Sequence, residues 1–325
     1  MKKILGMGNA LTDILLQLKD ERVLDELGYP KGSMQLINPD QVAGIRSKMD
    51  FSNAVMAAGG SASNTVNGIA RLGGKAGFFG RVGRDEVGAF FEQDMRNNGV
   101  EPHLAYSESI SGTCTVLVSP DGERTMCTHL GAASEIEASD LHPDMFAGYD
   151  FFHIEGYLVQ NHELIETAVK MAKIAGLTVS IDLASFNVVE AHFDFIQSIV
   201  RDYVDIVFAN EEEARSFTNM QPGDALIHMD HFCDIAIVKI GKDGSMIRTN
   251  KKNHFVDPFK ADCVDTTGAG DLYAAGFLYG MALDYPLATC GMIASYVSAR
   301  VVEVIGAKMS DDVWNNINSK VAKML

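Results

Sequence analysis

Short runs of apolar residues recur along the chain, and stretches long enough to form helices separate them. The runs lie at residues 3–7, 76–79, 150–154, 177–181, 204–208 and 235–240, and helical patterns follow at about 269–284, 286–303 and 311–323. Several runs are apolar at successive positions, which is typical of central strands covered by helices on both faces of a parallel sheet. The pattern therefore predicts an α/β fold: a doubly wound, Rossmann-like, mostly parallel sheet flanked by helices.

Two segments, residues 11–45 and 104–130, depart from this alternation and are predicted to be β-rich. In the second, two strand-like stretches flank Ser-Pro-Asp-Gly at 119–122, whose Asp-Gly pair is typical of a hairpin turn. The first contains candidate strands at 14–18 and 33–37. We expect the two segments to form one small β-sheet lid over a cleft. The main domain would then comprise residues 1–10, 46–103 and 131–325.

The composition restricts the partners that the chain can have. Twenty-seven Lys and Arg face 43 Asp and Glu, a formal net charge of −16, which argues against nucleic acid and against an anionic membrane surface. An anionic ligand would need local backbone N–H groups or a divalent cation. The five cysteines are scattered, and no apolar stretch reaches the length of a membrane span. We expect a soluble cytoplasmic protein with a small-molecule substrate, either a monomer or a homodimer.

Residues 265–271 read Asp-Thr-Thr-Gly-Ala-Gly-Asp and carry the clearest chemical signal in the chain. A helix is predicted to begin at Gly268-Ala269-Gly270, where small residues leave backbone N–H groups free to bind an anion. Asp271, in the first turn, has two interpretations. It is either a favourable charge at a helix N-terminus or a base that accepts a hydroxyl proton while the amides of residues 268–270 stabilise a phosphoryl group in transfer.

This heptapeptide resembles the C-terminal signature of the ribokinase-like, or PfkB, carbohydrate kinases. Other landmarks of that family occur in the expected order, so the resemblance extends over nearly the whole chain. It implies ATP as the phosphoryl donor and Mg²⁺ as the divalent cation. It also implies catalysis by Asp271 together with Gly268, Ala269 and Gly270.

Two stretches resemble the acceptor-binding landmarks of the family. The first, Gly6 to Asp13, offers Asn9 and Asp13 as ligands for acceptor hydroxyls, and the second, Gly59 to Thr65, offers Gly60 and Asn64. Each also has a purely structural interpretation, a turn after a strand and a helix N-cap respectively. Gly6-Met7-Gly8 also permits a dinucleotide fingerprint and hence an oxidoreductase, although Leu11 stands in the place of the third glycine.

Further stretches resemble the nucleotide side of the family's site. Asn210 and Glu213 match an Asn-x-x-Glu motif, which implies that they organise Mg²⁺ and its waters, while an acidic first helical turn is the alternative. Lys239, Gly241 and Gly244 match a loop that lines the ATP site in the family, which often has a hydroxyl residue where Lys239 stands; a hairpin turn is the alternative. By the same resemblance Asp265 and Thr267 match a monovalent-cation site, so K⁺ is a candidate cofactor.

Residues 19–45 and the hairpin at 122–126 resemble adenosine kinase-like members more than compact ribokinases. We therefore predict a nucleoside acceptor phosphorylated on its 5′ hydroxyl, with a pentose or hexose as the alternative. Ser33 and Gln35 would contact this acceptor from one face of a strand, Tyr157 would stack on its base, and Arg124 would reach the phosphate. A nucleoside or sugar sensor without catalytic activity is an alternative from another functional class.

Overall fold

The computed structural model describes residues 1–324. The strands are β1 (Lys3–Met7), β2 (Leu11–Gln17), β3 (Met34–Leu36), β4 (Val55–Gly59), β5 (Lys75–Gly83), β6 (Val100–Ser107), β7 (Gly112–Val118), β8 (Arg124–His129), β9 (Phe151–Glu155), β10 (Thr178–Asp182), β11 (Ile206–Asn210), β12 (Ile235–Lys239), β13 (Ser245–Thr249) and β14 (Lys252–Val256). The α-helices are α1 (Arg22–Leu27), α2 (Pro39–Lys48), α3 (Ser61–Arg71), α4 (Glu86–Asn97), α5 (His162–Ile174), α6 (Phe186–Ala191), α7 (Phe193–Tyr203), α8 (Glu211–Thr218), α9 (Pro222–Met229), α10 (Ala269–Ala282), α11 (Leu287–Val301) and α12 (Asp311–Val321).

The main sheet has nine strands in the order β14-β13-β12-β11-β10-β9-β1-β5-β6. The seven strands from β12 to β6 are parallel, and β13 and β14 add an antiparallel hairpin at one edge. One apolar core packs this sheet against α3, α10, α11 and α12, and a second packs its other face against α5, α7, α8 and α9. The predicted doubly wound α/β fold is confirmed, and each of the six apolar runs coincides with a strand.

The second sheet has five strands in the order β3-β8-β7-β2-β4. One face packs against α1 and α2 through a small core that includes Leu16, Leu24, Ile45 and Leu117. The opposite face looks into a cleft above the main sheet and carries Leu15, Val116 and Met126. We call the five strands with α1 and α2 the lid.

The lid differs from its predicted extent in three places. Val55–Gly59 pairs with β2 in the lid, although residues 46–103 were assigned to the main domain. Residues 104–107 complete β6 in the main sheet, although they were assigned to the lid. The first insert also holds two helices, and α2 begins at an Asn38–Gln41 capping box that the β-rich interpretation overlooked. β4 was missed because its small residues lack the alternation of a half-buried strand.

The carboxyl ends of the central parallel strands all meet at the edge of the main sheet below the lid. Asn9 follows β1, Glu155 ends β9, Asp182 ends β10, Asn210 ends β11 and Lys239 ends β12. Ligands of open α/β sheets bind at this edge. Among residues 1–324, no helix combines the length and the apolar character that crossing a bilayer requires.

Candidate active site

A cavity of about 1600 Å³ separates the lid from the carboxyl edge of the main sheet. Its walls include the starts of α3 and α10, the strand ends described above, and the inner face of the lid. Sites for single small molecules usually measure about 300–1,000 Å³. This cavity, called the cleft below, therefore has room for two ligands side by side.

The start of α10 presents unpaired backbone N–H groups to the cleft. Gly268 adopts a left-handed conformation with φ of 76°, and α10 begins at the next residue. No acceptor within residues 1–324 pairs with the N–H groups of Gly268 and Gly270. The N–H of Ala269 instead donates to the Thr266 carbonyl at 3.1 Å. The predicted anion-binding site is therefore formed by the N–H groups of Gly268 and Gly270, and we call these two groups the cradle. The prediction was wrong for Ala269, because its N–H group is already bonded within the tight turn before the helix.

Asp271 lies in the first turn of α10 and faces the cleft. Ser61 donates its hydroxyl to one carboxylate oxygen at 2.7 Å, and Asn64 donates its amide N–H to the other at 2.9 Å. Burial raises the pKa of Asp271 above its ordinary value, and these two donors oppose the rise. The carboxylate is thus held in one orientation beside the cradle, as a base that receives a hydroxyl proton must be.

Asn64 therefore binds Asp271 directly, whereas the sequence suggested that Asn64 binds the acceptor. Its amide nitrogen is committed to the carboxylate, and its amide oxygen is buried without a partner within residues 1–324. Gly60 has φ of 93°, and a Cβ there would lie 2.2 Å from the carbonyl oxygen of Asn9. Only glycine allows the chain leaving the lid to pass this close to the loop after β1.

Asn9 and Asp13 both line the cleft, as expected for residues that bind acceptor hydroxyls. Asn9 donates its backbone N–H to Glu155 at 2.9 Å, and its side-chain amide N–H donates to the same oxygen. No donor within residues 1–324 pairs with the carboxylate of Asp13. Burial raises the pKa of Asp13 to about 6, and the charge of Lys308 opposes the rise. Asp13 is therefore a desolvated carboxylate that is left available for a ligand.

Glu155 is a site residue that the sequence interpretation missed. Besides Asn9 it binds the backbone N–H of Ala62 at 3.0 Å, so it links the β1 loop to the start of α3. Burial raises its pKa to about 7 in spite of these donors. An acidic residue at the end of the buried strand β9 was the available signal, because ligands bind at the carboxyl ends of strands in such sheets and Glu is rarely buried without a partner.

On the other side of the cleft, Asn210 and Glu213 form a capping box at the start of α8. The side-chain oxygen of Asn210 accepts the Glu213 N–H at 2.8 Å, and Glu213 accepts the Asn210 backbone N–H at 2.8 Å. Burial raises the pKa of Glu213 to about 7, and the charge of Asp182 adds to the rise. The structural and functional interpretations coexist here, since both residues also line the cleft.

The loop from Lys239 to Gly244 is the turn of the β12–β13 hairpin, which was its structural interpretation, and it also lines the cleft. Gly241 and Gly244 have φ of 56° and 99°. Lys239 donates its ammonium group to Asp182 at 2.8 Å. Asp182, like Glu155, was missed by the sequence interpretation.

Arg124 reaches across from the lid to the loop before α10, where it donates to the carboxylate of Asp265 and to the hydroxyl of Thr267. The backbone N–H groups of Thr267 and Gly306 also donate to Asp265, at 2.9 and 2.6 Å. Both oxygens of Asp265 are thus already bound by protein donors. A guanidinium group stands where the sequence suggested a monovalent cation.

Two predicted acceptor contacts are wrong. Ser33 and Gln35 hydrogen-bond to each other and do not line the cleft. Their neighbours Met34 and Leu36 face it instead. Gln35 pairs in register with Cys127, whose side chain lies on the other face of the lid sheet, in the core against α1 and α2. The prediction therefore chose the wrong face of β3, since neighbouring residues of a strand point to opposite faces. Tyr157 does line the cleft, with its hydroxyl donating to the Ala184 carbonyl at 3.3 Å.

No group of three or more His, Cys, Asp or Glu side chains within residues 1–324 is arranged to hold a metal ion. A metal at this site would therefore be bound largely by its other ligands and by water. Glu213, in the first turn of α8, and Asp182, at the end of β10, are candidates for holding it, because both are buried carboxylates that line the cleft and their charges act on each other.

Residues 34–313 match the family described as pfkB family carbohydrate kinase. The chain belongs to this family. A probable sugar kinase from Rhizobium etli superposes with a TM-score of 0.87 at 32% identity, covering 100% of this chain and 99% of that one. An adenosine kinase from Sinorhizobium meliloti gives a TM-score of 0.85 at 33% identity over 98% and 99%. Adenosine kinase 2 of Arabidopsis thaliana is 26% identical, covering 93% of this chain and 94% of its own.

The protein is therefore a kinase that transfers a phosphoryl group to an alcohol on a small sugar or nucleoside. The dinucleotide interpretation of Gly6 to Leu11 is wrong, because a pfkB family kinase is not an oxidoreductase. The structure explains the glycine at position 8 in another way. A Cβ on Gly8 would lie 2.2 Å from the side chain of Glu155, so a larger residue does not fit there.

Proposed function

We propose that this kinase phosphorylates the 5′ hydroxyl of a nucleoside of the adenosine type, with ATP as donor and Mg²⁺ as the divalent cation. The observation that carries the proposal is the apolar inner face of the lid beside Asp13. This face presents Leu15, Met34, Leu36, Cys114, Val116 and Met126 to the cleft. The ribose of a nucleoside would bind the polar groups of the cleft, and its planar, mostly apolar base would pack against this face.

A free pentose or hexose fits this half of the cleft less well. Hydroxyl groups surround such a sugar, and hydroxyls buried without hydrogen-bond partners cost free energy. The polar groups offered to the acceptor, chiefly Asn9 and Asp13, lie together beneath the lid. In the proposed complex these polar groups bind the ribose, and the base of the nucleoside packs against Met126 and Leu36.

The proposed reaction is an in-line displacement on the γ-phosphate. Asp271 accepts the proton of the acceptor hydroxyl while the bond from that oxygen to phosphorus forms. The bond to the bridging oxygen breaks at the same time, and its electron pair leaves with ADP. The N–H groups of Gly268 and Gly270 donate to the oxygens of the phosphoryl group as their charge is redistributed. The lid excludes water from the reacting groups.

Mg²⁺ fits the donor set of the nucleotide side. Hard oxygen donors suit an ion that retains much of its hydration, and Glu213 would hold the ion through water because Asn210 occupies both of its carboxylate oxygens. When bound, the ion would neutralise phosphate charge. Burial and the charge of Asp182 raise the pKa of Glu213, so a cation nearby would favour the ionised form of Glu213.

A sugar kinase is the second candidate, because relatives named as sugar kinases resemble the chain as strongly as those named as adenosine kinases. The discriminating experiment measures ATP consumption with adenosine, ribose and fructose at equal concentrations. We expect adenosine to react fastest and 5′-deoxyadenosine, which lacks the transferable hydroxyl, to inhibit competitively. Faster turnover with ribose or fructose would refute the nucleoside assignment while leaving the kinase intact.

A second comparison tests the apolar lid face itself. Replacing Met126 by Gln places an amide against the proposed base but leaves Asn9 and Asp13 unchanged. We expect the KM for adenosine to rise by about tenfold, the effect of losing the burial of one apolar side chain against the ligand. The KM for ribose should be unchanged. Equal effects on both acceptors would contradict the placement of the base.

A further inference from the structure

We infer that Lys239 is a catalytic residue of this kinase, whose ammonium group leaves Asp182 to bind the phosphoryl group in transfer. The inference rests on the phosphoryl transfer proposed above but not on the identity of the acceptor. Lys239 ends β12, the last parallel strand on the nucleotide side of the carboxyl edge. It stands where the family often has a hydroxyl residue, so the role must be argued from this chain's own geometry.

The ammonium group of Lys239 lies against the first turn of α10. A Cβ built on Gly270 would be 3.0 Å from the Lys239 nitrogen, and Gly270 supplies one of the free N–H groups of the cradle. The ammonium group therefore lies beside the first turn of α10, next to one of the two residues that form the cradle. Asp271 is the next residue of that turn and also lines the cleft.

Lys239 is also the cationic side chain best placed for this role. Within residues 1–324, four cationic side chains line the cleft: Arg124, Lys239, Lys242 and Lys260. Arg124 is held by Asp265 and Thr267, and Lys242 and Lys260 are exposed at the rim. Five buried or partly buried acids line the same cleft: Asp13, Glu155, Asp182, Glu213 and Asp271. A triphosphate entering this negative field needs a cation at the point of transfer.

Asp182 has a second hydrogen-bond donor besides Lys239. Lys239 donates to one oxygen of Asp182, and the other oxygen accepts the backbone N–H of Ala184 at 3.0 Å. When the ammonium group moves to the phosphoryl oxygens, Asp182 keeps this hydrogen bond and remains beside Lys239. Burial lowers the pKa of Lys239, but the charges of Asp182 and Glu213 outweigh this effect and raise the pKa above its ordinary value. In the proposed step Lys239 supplies positive charge only, and the hydroxyl proton goes to Asp271.

A structural role for Lys239 predicts a different outcome from a catalytic one. If Lys239 only neutralises Asp182, then removing both charges together restores the site. The test therefore compares Lys239→Met, Asp182→Asn and the double variant. The measurements are kcat at saturating ATP and acceptor, the thermal unfolding temperature without ligand, and the affinities for ATP and for ADP by calorimetry. Lys173→Met is the matched control, because Lys173 forms a pair at 2.8 Å with Asp205 on the surface.

We expect Lys239→Met to lower kcat by about 10²–10³-fold, the range for removal of one preorganised transition-state donor. Its unfolding temperature should fall, and the double variant should regain it. The kcat of the double variant should stay well below that of Asp182→Asn, which measures any effect of losing Asp182 alone. The loss of affinity in Lys239→Met should be larger for ATP than for ADP, because ADP lacks the transferred group. Lys173→Met should leave kcat within about twofold of the wild type.

A kcat of the double variant equal to that of Asp182→Asn would overturn the inference, because removal of Lys239 would then have no effect of its own. So would equal losses of ATP and ADP affinity in Lys239→Met. These outcomes are distinct from a failure of the proposed function, in which the wild-type protein itself shows no turnover with adenosine. In that case the same comparison is made with whichever sugar the wild-type protein phosphorylates.

Discussion

Replacing Asp13 by Asn should raise the unfolding free energy of the ligand-free protein and also raise the KM of the kinase for its acceptor. The carboxylate of Asp13 is buried under the lid, and no donor within residues 1–324 pairs with it. Folding raises its pKa from 3.8 to about 6. Because folding raises this pKa, the group favours the folded state at low pH, and that contribution is lost as the pH rises from about 4 through about 6.

The magnitude follows from the same two pKa values. At pH 8 the ionised carboxylate costs the folded protein about 3 kcal/mol relative to a group with an unshifted pKa, and about half of this cost is already present at pH 5. Asn has nearly the same shape and cannot ionise. The gain in unfolding free energy of Asp13→Asn over the wild type should therefore be larger at pH 8 than at pH 5.

Urea unfolding at pH 5 and pH 8 measures this difference, and Asp234→Asn is the control because Asp234 is exposed in the turn before β12. Steady-state kinetics should show a rise of about 10²-fold in the acceptor KM, the value of one or two hydrogen bonds to a charged group, with the KM for ATP unchanged. If Asp13→Asn is less stable than the wild type at pH 8, the carboxylate is not desolvated as described and the reasoning fails.

Three other substitutions test separate parts of the site. Asp271→Asn keeps the shape of the base, so kcat should fall by about 10²–10⁴-fold while calorimetry shows unchanged ATP binding; a smaller fall would remove Asp271 as the base. The wild-type rates in K⁺ and in tetramethylammonium should be equal, because Arg124 already neutralises the loop before α10. The Arg124→Met variant should depend on K⁺. A K⁺ requirement in the wild type would contradict the role given to Arg124. Gly60→Ala should lose more than about 1 kcal/mol in urea unfolding and raise the acceptor KM. Gly28→Ala is its control, since Gly28 has φ of 70° with nothing near its missing Cβ.

The sequence predicted those parts of the fold that local periodicity determines. Buried strands such as β11 are apolar at successive positions, and the β7–β8 hairpin has its Asp-Gly turn, so both could be read directly. The face of β3 was read wrongly, because alternation alone does not say which side of an edge strand meets the cleft. The pairing of Gln35 with Cys127, which decides it, joins residues far apart in the chain.

The site was predictable where a residue and its chemistry share one motif. Asp271 follows its glycines, and Glu213 faces Asn210 across one helical turn. Glu155 and Asp182 escaped prediction because their roles come from contacts with Asn9 and Lys239 on other strands. Periodicity within the chain carries no information on which strand ends are neighbours.

The lid joins the main sheet through very short links, and these links line the cleft. Three residues connect β1 to β2, and Asn9 is one of them, while Gly60 alone stands between β4 and α3. Asn9 is tied to the main sheet through Glu155, whereas Asp13 moves with the lid. An acceptor that binds both residues, as proposed above, would therefore connect the lid to the main sheet directly. Its binding would restrain the lid relative to the main sheet, with the two short links as the points at which the chain has to bend.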